Sequence, residues 1–333
     1  MRTEQVKYLL SKLLQLVISL VILLLLVFFL ARLAPGDPLY AYYGDGLDKM
    51  SIEQKQAAEI KLGLDKGLIT QLVIWVQGAA QGDFGLSYQY KQSVMDIIGS
   101  VYANTLILGI TAFVLTFLLA FGLGCFCALH EDKLADKLIC KIGVITNSIP
   151  SFWLALIFIL FFCVNLRLLP SGGAYDIGRA GDMLSRLKHL ILPLSVMILS
   201  HLWYYAYMVR NKLLEEIRRD YVLLAKAKGL SKRQIIYCHL LPNIMPAMLY
   251  VMAIAIPHIV GGTFIVEQVF SYPGLGKLLF EAASYHDYNM LMVLSLLTGA
   301  AIIFFSILAQ MLSDIIDPRM KHLSREEACN ETL

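Results

Sequence analysis

The sequence predicts an all-α membrane protein with six transmembrane helices. Of its 333 residues, 58% are hydrophobic and only 16% are charged, whereas charged residues make up about 25% of an average soluble domain. The apolar residues also gather in long runs, and about 20 apolar residues in a row are enough for a helix to cross a bilayer. Six such runs lie at residues 13–31, 102–129, 139–165, 190–209, 244–266 and 290–313.

Charge and cysteine content argue against other classes of protein. The formal net charge of +3 is too small to indicate a nucleic-acid partner. The six cysteines lie mostly inside or beside apolar runs, so no disulfide framework is predicted.

Residues 13–31 follow a basic head, as in a signal peptide. That run is longer than the hydrophobic part of a usual signal peptide and lacks a cleavage site of small residues, so we interpret it as a retained transmembrane helix.

The distribution of Lys and Arg predicts that both termini are cytoplasmic. Residues 210–243 contain eight of these residues, whereas the connection 267–289 contains one. The connection 166–189 contains four, which weakens the contrast. Because short cytoplasmic loops carry an excess of Lys and Arg, we expect the basic 210–243 segment to lie inside the cell.

This orientation divides the chain into five parts. They are a cytoplasmic N-terminus (1–12), the first transmembrane helix (13–31), an extracytoplasmic loop (32–101), a five-helix transporter core (102–316) that includes the 210–243 loop, and a cytoplasmic tail (317–333).

The 32–101 loop is predicted to be folded. Ser51 with Gln54 is a capping-box pattern, and Gly63 can end the helix that follows. The string 82–85 (Gly-Asp-Phe-Gly) is typical of a turn. The loop is either a surface cap or a docking or gating surface for a soluble partner.

Residues 210–229 predict an amphipathic helix on the cytoplasmic side. Leu214, Ile217, Tyr221 and Leu224 recur at three- and four-residue steps, as on the apolar face of a helix. Gly229 can end this helix, because glycine adopts the left-handed conformation without a Cβ penalty.

A second short helix is predicted directly after Gly229. Ser231 with Gln234 is a capping-box pattern, and Pro242 and Pro246 mark the entry to the fifth transmembrane helix. The residues alone leave three roles open for this helix–Gly–helix segment: enforcing topology, contacting anionic lipids or docking a partner.

The string Tyr221-Val-Leu-Leu-Ala-Lys-Ala-Lys-Gly229, followed by Ile235, His239, Pro242-Asn243 and Pro246, resembles the cytoplasmic-loop motif of ABC-importer permeases. More narrowly, the chain is similar to the dipeptide, oligopeptide and nickel permease family. Other motifs of that family occur in order along the chain: Ala34-Pro35-Gly36-Asp37-Pro38, Leu62-Gly63-Leu64-Asp65, Gly82-Asp83-Phe84-Gly85-Leu86-Ser87, Pro150-Ser151-Phe152-Trp153, Gly261-Gly262, Val266-Glu267, Phe270, Pro273-Gly274-Leu275-Gly276, Asp287-Tyr288 and Asp317-Pro318-Arg319.

The resemblance implies a permease subunit in the cell membrane, the first of two paired permeases, that moves peptides or nickel ions inward by alternating access. The implied partners are a second homologous permease, two cytoplasmic ABC ATPases, an extracytoplasmic substrate-binding protein and membrane lipid. The residues that the resemblance assigns to coupling with the ATPases are Tyr221, Ala225, Ala227, Gly229, Ile235, His239 and Pro242.

The chain itself is not expected to be an enzyme or to bind a cofactor. No Gly-x-x-x-x-Gly-Lys-Ser/Thr loop occurs in the sequence, so ATP is expected to be used by the partner ATPases. Gly-x-Ser-x-Gly and His-Glu-x-x-His are also absent.

The sequence does not decide the substrate. Met252 belongs to a methionine stripe of the fifth apolar run that could bind a soft metal transiently, although such stripes more often pack helices. His258 is a further candidate for substrate contact, because an ionisable group within a membrane is costly and often functional. Glu267, at the outer end of the fifth span, could line the passage or pair with a basic group. No metal site is assigned. The alternative function is an ATPase-independent secondary transporter or channel, which predicts mid-span charges and internal repeats.

Overall fold

The computed structural model describes residues 2–33 and 36–316, and the side-chain environments of residues 6–33 and 36–312. The predicted tail 317–333, the motif Asp317-Pro318-Arg319 and the motif residues Ala34 and Pro35 lie outside the described residues. Within the described ranges the chain is helical, and the one bridge pairs Leu86 with Ser93.

The helices follow one another in a single series. They are α1 (Arg2–Leu33), α2 (Pro38–Tyr43), α3 (Ile52–Leu62), α4 (Leu68–Ala80), α5 (Val94–Leu129), α6 (Leu134–Asn147), α7 (Ser151–Phe158), α8 (Met183–Ile217), α9 (Asp220–Ala227), α10 (Lys232–Ile235), α11 (Leu241–Val269), α12 (Leu275–Ser284) and α13 (Tyr288–Ile316). A 3₁₀ turn at Gly44–Lys49 and π-helical stretches at Ile159–Asn165 and Ile236–Leu240 complete the series.

Five stretches of the described chain are long and apolar enough to cross a membrane. They extend beyond the predicted apolar runs, because a helix continues through the polar residues that flank its membrane-spanning part. Their bounds are Val6–Leu33, Val94–Leu129, Met183–Ile217, Lys232–Val269 and Tyr288–Leu312.

The predicted third span, 139–165, is not one straight helix. α6 ends at Asn147, and a second helical stretch, Ser151–Asn165, leaves it at an angle of 98°. Pro150 explains the break, since proline has no N–H to donate and disfavours helical geometry in the residue before it. The bent pair is a sixth span if both halves together cross the membrane.

The chain divides into two compact units. Among the described residues, the first contains 2–33, 36–106 and 273–303, and the second contains 107–272 and 304–316. α5 and α13 each contribute residues to both units.

The first unit is held together by apolar packing and by polar contacts of the 82–93 turn. A buried cluster joins the beginnings of α5 and α13 to α12 and includes Val94, Leu278 and Leu294. Ser87 donates a short hydrogen bond to Asp287, which is 1% exposed and also accepts from the backbone N–H of Gln89 at 3.2 Å. This carboxylate therefore ties the turn to the beginning of α13.

The first unit also contains the small helices between α1 and α5. Ser51 and Gln54 form a capping box at the beginning of α3, and Gly63 ends α3 with a φ of 69°. Arg32 at the end of α1 stacks over the ring of Tyr288, with its Cζ 4.3 Å from the ring centroid. The 36–93 part of the predicted loop is therefore folded.

The second unit has two apolar cores. The larger one lies among α5, α7, α8 and α11 and includes Leu108, Val196 and Ile259. The other, which we call the segment core, packs α9, α10 and the π-helical stretch 236–240 against parts of α5, α8 and α11. The segment core positions the region that the sequence singles out for coupling.

Candidate functional site

The amphipathic helix predicted through Leu224 is two helices. α8 ends at Ile217, Arg219 has an extended backbone (ψ 150°), and α9 begins at Asp220. The break rotates the apolar face, so Val222 is fully buried while Leu224 is 57% exposed. The prediction that Leu224 lies on the buried face is wrong for this reason.

Gly229 ends α9 in a left-handed turn. Its φ is +78°. Its N–H donates to Lys226 O at 2.9 Å, and the N–H of Leu230 donates to Ala225 O at 3.2 Å. These two bonds form a Schellman motif, and Leu230 completes it by packing into the segment core beside Ala225.

The second helix of the segment is not a separate short helix. Ser231 and Gln234 form the capping box that begins α10, but helical structure continues through the π-helical stretch into α11 and gives one stretch, Lys232–Val269. Pro242 does not end this stretch; it lies in the first turn of α11, directly after the π-helical residues. The prediction of a separate short helix after Gly229 is therefore wrong, because this helix is continuous with the fifth span.

The hydroxyl of Tyr221 links the ends of three helices. It donates to Glu216 of α8 at 2.8 Å and also interacts with the Asn243 side chain at the beginning of α11. Partial burial raises the pKa of Tyr221 above its ordinary value. The hydroxyl thus remains a neutral donor at physiological pH.

The structure separates the predicted coupling residues by exposure. Ala225 and Ile235 are buried in the segment core, so they shape the segment from inside. Tyr221 and His239 are half-buried. The residues of this set that reach the surface are Ala227, Gly229 and Pro242.

Three large apolar side chains of the same segment are exposed, and two of them, Leu223 and Tyr237, were not singled out from the sequence. Leu223 is 56% exposed, Leu224 is 57% exposed and Tyr237 is 69% exposed. A surface of this kind, apolar and next to basic residues, is suited to contact with another protein. Leu223 could have been recognised as an exposed residue only if the helix break at Arg219 had been known, because the break decides which face of α9 is buried.

A buried ion pair connects α6 to α8 in the same unit. Arg210 donates two hydrogen bonds to Asp136, from Nε at 2.7 Å and from Nη2 at 2.6 Å. The Asp136 side chain is 2% exposed and the Arg210 side chain 16%. Asp136 also accepts from the Asp132 backbone N–H at 3.1 Å, so this carboxylate fixes the beginning of α6.

A polar cleft of about 450 Å³ lies in the second unit, among the end of α6, α8 and α11. Its walls carry polar groups beside apolar side chains, and none of the described residues that line it is Asp, Glu, Lys or Arg. The polar lining residues are Asn147, Ser200, His201, Tyr204, Tyr205, Tyr250 and His258. A larger cavity of about 640 Å³ near Cys127 and Trp203 has a mostly apolar lining.

His201 has a defined orientation in the cleft wall. Its Nδ1 lies 2.9 Å from the carbonyl oxygen of Met197, so Nδ1 carries the proton and Nε2 of the neutral ring is an acceptor. Gly262 allows the ring to lie close to α11, because an added Cβ there would be 3.2 Å from His201 Cε1. Gly262 of the Gly261-Gly262 motif thus has a packing role beside this cleft.

Only one of the three substrate candidates lines this cleft. His258 is in its wall, whereas Met252 packs against the larger core of the unit. Glu267 is fully buried. Burial, together with the nearby Glu267 carboxylate, raises the pKa of Tyr272 to about 12, which indicates that Glu267 belongs to a closed cluster at the end of α11.

Residues 120–322 match the family model described as the inner membrane component of binding-protein-dependent transport systems. The chain belongs to this family. The match contains both the segment around Gly229 and the polar cleft, and it identifies the chain as a multi-pass inner membrane permease.

Relatives of this permease extend the match over nearly the whole chain. The oligopeptide transport system permease protein OppB of Haemophilus influenzae is 31% identical over 318 residues, which cover 95% of this chain and 99% of OppB. The oligopeptide transport system permease protein AppB of Bacillus subtilis is 29% identical over 299 residues, which cover 90% and 94%. The resemblance to peptide-importer permeases is thereby confirmed.

A solved structure confirms the fold class. A chain of the MetNI methionine ABC transporter in an inward-facing conformation aligns with a TM-score of 0.54 and 20% identity, over 67% of this permease and 97% of that chain. The helical fold is therefore shared with a chain of an ABC transporter.

Proposed function

We propose that this permease moves peptides into the cytoplasm by alternating access, driven by two separate ABC ATPases. The observation that carries the proposal is the near-full-length similarity to OppB and AppB, whose names state oligopeptide transport. A second homologous permease and an extracytoplasmic binding protein complete the proposed assembly.

The segment around α9 is the proposed ATPase contact. Its apolar side packs into the segment core, so the segment moves with the ends of α5, α8 and α11. Leu223, Leu224 and Tyr237 are left exposed and supply the contact surface. A force applied to this surface is passed to the transmembrane helices, because closely packed side chains transmit displacement.

The polar cleft is suited to peptides. A peptide backbone offers N–H donors and carbonyl acceptors at every residue, and the hydroxyl, amide and imidazole groups of the cleft complement both. Walls without Asp, Glu, Lys or Arg also avoid a permanent charge that would retain peptides of opposite charge. A transporter must bind its cargo in one state and release it in another. Moderate binding, through hydrogen bonds and without a permanent charge, is therefore suited to a peptide that passes through the site.

The substrate is tested by uptake in cells from which the gene has been deleted. Restoring this chain should restore uptake of a labelled oligopeptide and leave uptake of radioactive nickel unchanged. If restoration acts on nickel and not on peptides, the substrate assignment is wrong, and nickel remains the family's other cargo.

The energy source is tested in membrane vesicles. Uptake should require ATP and should stop with orthovanadate, an inhibitor of ABC ATPases. Uptake that persists with orthovanadate and follows an ion gradient would support the alternative, a secondary transporter. The purified chain free of ATPase subunits should not hydrolyse ATP.

The docking surface is tested with a native cysteine. Cys238 is exposed, lies next to Tyr237 and is the sole exposed cysteine among the described residues. In a Cys329→Ser background, a maleimide should label Cys238 readily in the chain alone and slowly in the assembled transporter. Equal labelling of both preparations would exclude this surface as the ATPase contact.

A further inference from the structure

One side-chain atom in the wall of the polar cleft has a hydrogen-bonding role that the fold fixes. His201 Nδ1 must donate to the carbonyl oxygen of Met197, 2.9 Å away, because a carbonyl oxygen can only accept. The other ring nitrogen, Nε2, can then only accept in the neutral ring. The amide of Asn147 and the hydroxyls of Tyr204 and Tyr250 in the same walls can each donate or accept, so they do not select for one kind of group.

Nε2 of His201 is available to a molecule in the cleft. Within the described part of the chain, the hydrogen bond that His201 makes is the one from Nδ1. Nε2 is also not one of the buried side-chain atoms that lack a hydrogen-bond partner there, so the atom is accessible. The accessible space beside the ring is the cleft, whose wall the residue forms. A donor on the cargo can therefore reach this acceptor.

The acceptor is also held in a constant position. The bond from Nδ1 ties the ring of His201 to the preceding turn of α8. Gly262 of α11 lies against the ring, since an added Cβ there would be 3.2 Å from Cε1 and 3.7 Å from Nε2. A group that is already held in place loses little freedom when it binds its partner. His201 is therefore preorganised to accept a hydrogen bond.

We propose that His201 is a specificity-determining residue of this permease, whose Nε2 accepts a hydrogen bond from a backbone amide N–H of the peptide in transit. The inference rests on the proposed transport of peptides. A backbone N–H suits this acceptor better than the N-terminal ammonium group, because a charge taken out of water needs an opposite charge. None of the described residues that line the cleft is Asp or Glu. His201 thereby favours peptides over molecules of the same shape without N–H groups.

The proposal is tested by removing single N–H groups from the cargo. Uptake of labelled tetra-alanine is compared with uptake of versions in which one amide at a time is an ester, which keeps the shape but has no N–H. The cells carry this chain or a variant of it with all other subunits unchanged. Any contribution of the extracytoplasmic binding protein to the amide-to-ester ratio is then the same in every strain. At one peptide position the ratio should fall by about two- to tenfold in His201→Phe, the effect of one hydrogen bond.

Two further variants and one matched control separate this role from packing. His201→Gln supplies an amide oxygen at about the reach of Nε2 and should restore the ratio. Gly262→Ala keeps the imidazole but displaces it, so the ratio should fall as in His201→Phe. His189→Phe is the control, because His189 lies on the same helix and its Nδ1 is likewise 2.9 Å from a carbonyl oxygen, that of Ser185. His189 does not line the cleft, so its replacement should leave the ratio unchanged.

The outcomes distinguish a failure of this inference from a failure of the proposed function. If cells with the unaltered chain take up no peptide, peptide transport is wrong and this inference falls with it. If they take up tetra-alanine but the ratio is unchanged in His201→Phe at every position, or falls equally in His189→Phe, only the role of His201 is overturned. N-acetylated tetra-alanine, which lacks the ammonium group, tests the other donor. A preference for the free N-terminus that is lost in His201→Phe would also overturn the assignment to a backbone N–H.

Discussion

Gly229 is the residue at which backbone geometry and the proposed coupling meet. Its φ is +78°, and an added Cβ would meet no atom within 4 Å. A larger side chain there would therefore act through backbone strain of about 1–3 kcal/mol, without a steric clash. Strain of this size is small against the packing of the transmembrane helices but large against a docking equilibrium.

We expect Gly229→Val to abolish or strongly reduce uptake while the protein still inserts in the membrane. A strain of 1–3 kcal/mol weakens docking by roughly ten- to a hundredfold. The measurement is peptide uptake together with co-purification of the ATPases. Gly178→Val is the matched control, because Gly178 has a φ of +79° and equally open surroundings but lies far along the chain from the segment. Normal uptake and ATPase retention in Gly229→Val would contradict the coupling role.

A second residue-scale prediction concerns the Asp136–Arg210 pair. Asp136→Ala leaves Arg210 largely buried without its carboxylate, a change that typically costs about 3–5 kcal/mol. We expect a clearly lower midpoint of thermal unfolding in detergent. Replacing both partners, Asp136→Leu with Arg210→Met, should recover much of the loss, because no charge is then left buried.

The control for this pair is an exposed ion pair in the same unit. Glu131 bonds Arg218 at 2.9 Å, but the Arg218 side chain is 74% exposed. Glu131→Ala should shift the midpoint little, since surface pairs contribute about 0–1 kcal/mol. Equal shifts for Asp136→Ala and Glu131→Ala would show that the Asp136–Arg210 pair does not stabilise the fold.

At the scale of elements, the turn 82–93 depends on one buried carboxylate. Ser87→Ala removes a hydrogen bond to Asp287, and bonds to charged groups contribute about 1.5–3 kcal/mol. We expect the turn to open more often and trypsin to cleave sooner after Lys91, which is exposed. Ser51→Ala removes the cap of α3 instead and should leave cleavage at Lys91 unchanged. Cleavage at the parental rate in Ser87→Ala would contradict the role of this bond.

How well the ends of the helices could be predicted depends on what ends each helix. Gly63 and Gly229 end their helices as the sequence predicts, because a left-handed cap is a local property of the chain. The break at Arg219 was missed, since no glycine or proline marks it and packing into the segment core decides it. The bend at Pro150 was missed although a proline marks it. Hydropathy averaged over a long apolar run changes little when the run contains a single proline.

At the scale of the molecule, membrane spans are easier to predict than sites. Hydropathy finds the spans because a bilayer forces long apolar helices. The polar cleft could not be found in this way, because Asn147, His201 and Tyr250 are far apart in sequence. Hydropathy also does not distinguish a polar residue that lines a cleft from any other polar residue in an apolar run. His258 was singled out as an intramembrane ionisable residue, and that signal alone does not distinguish it from Glu267.

The bent pair α6–α7 makes the orientation of the whole molecule a decidable question. We predict that the pair crosses the membrane, which gives six spans and a cytoplasmic 210–243 segment. If the pair instead enters and leaves on one side, the eight basic residues of 210–243 lie outside, against the tendency of Lys and Arg to remain in the cytoplasm.

Four single cysteines, introduced at exposed residues of a cysteine-free chain, distinguish the two arrangements: Asp48, Asp132, Arg179 and Lys232. A membrane-impermeant maleimide added to intact spheroplasts should label the sites at Asp48 and Arg179. The sites at Asp132 and Lys232 should react only after the membrane is permeabilised, because both are cytoplasmic in the six-span arrangement. In that arrangement Arg179 and Lys232 lie beyond opposite ends of α8, on opposite sides of the membrane. A pair that does not cross the membrane would exchange these two results, with Lys232 labelled from outside and Arg179 protected. That outcome would leave five spans and place the segment around Gly229 where no cytoplasmic ATPase could reach it.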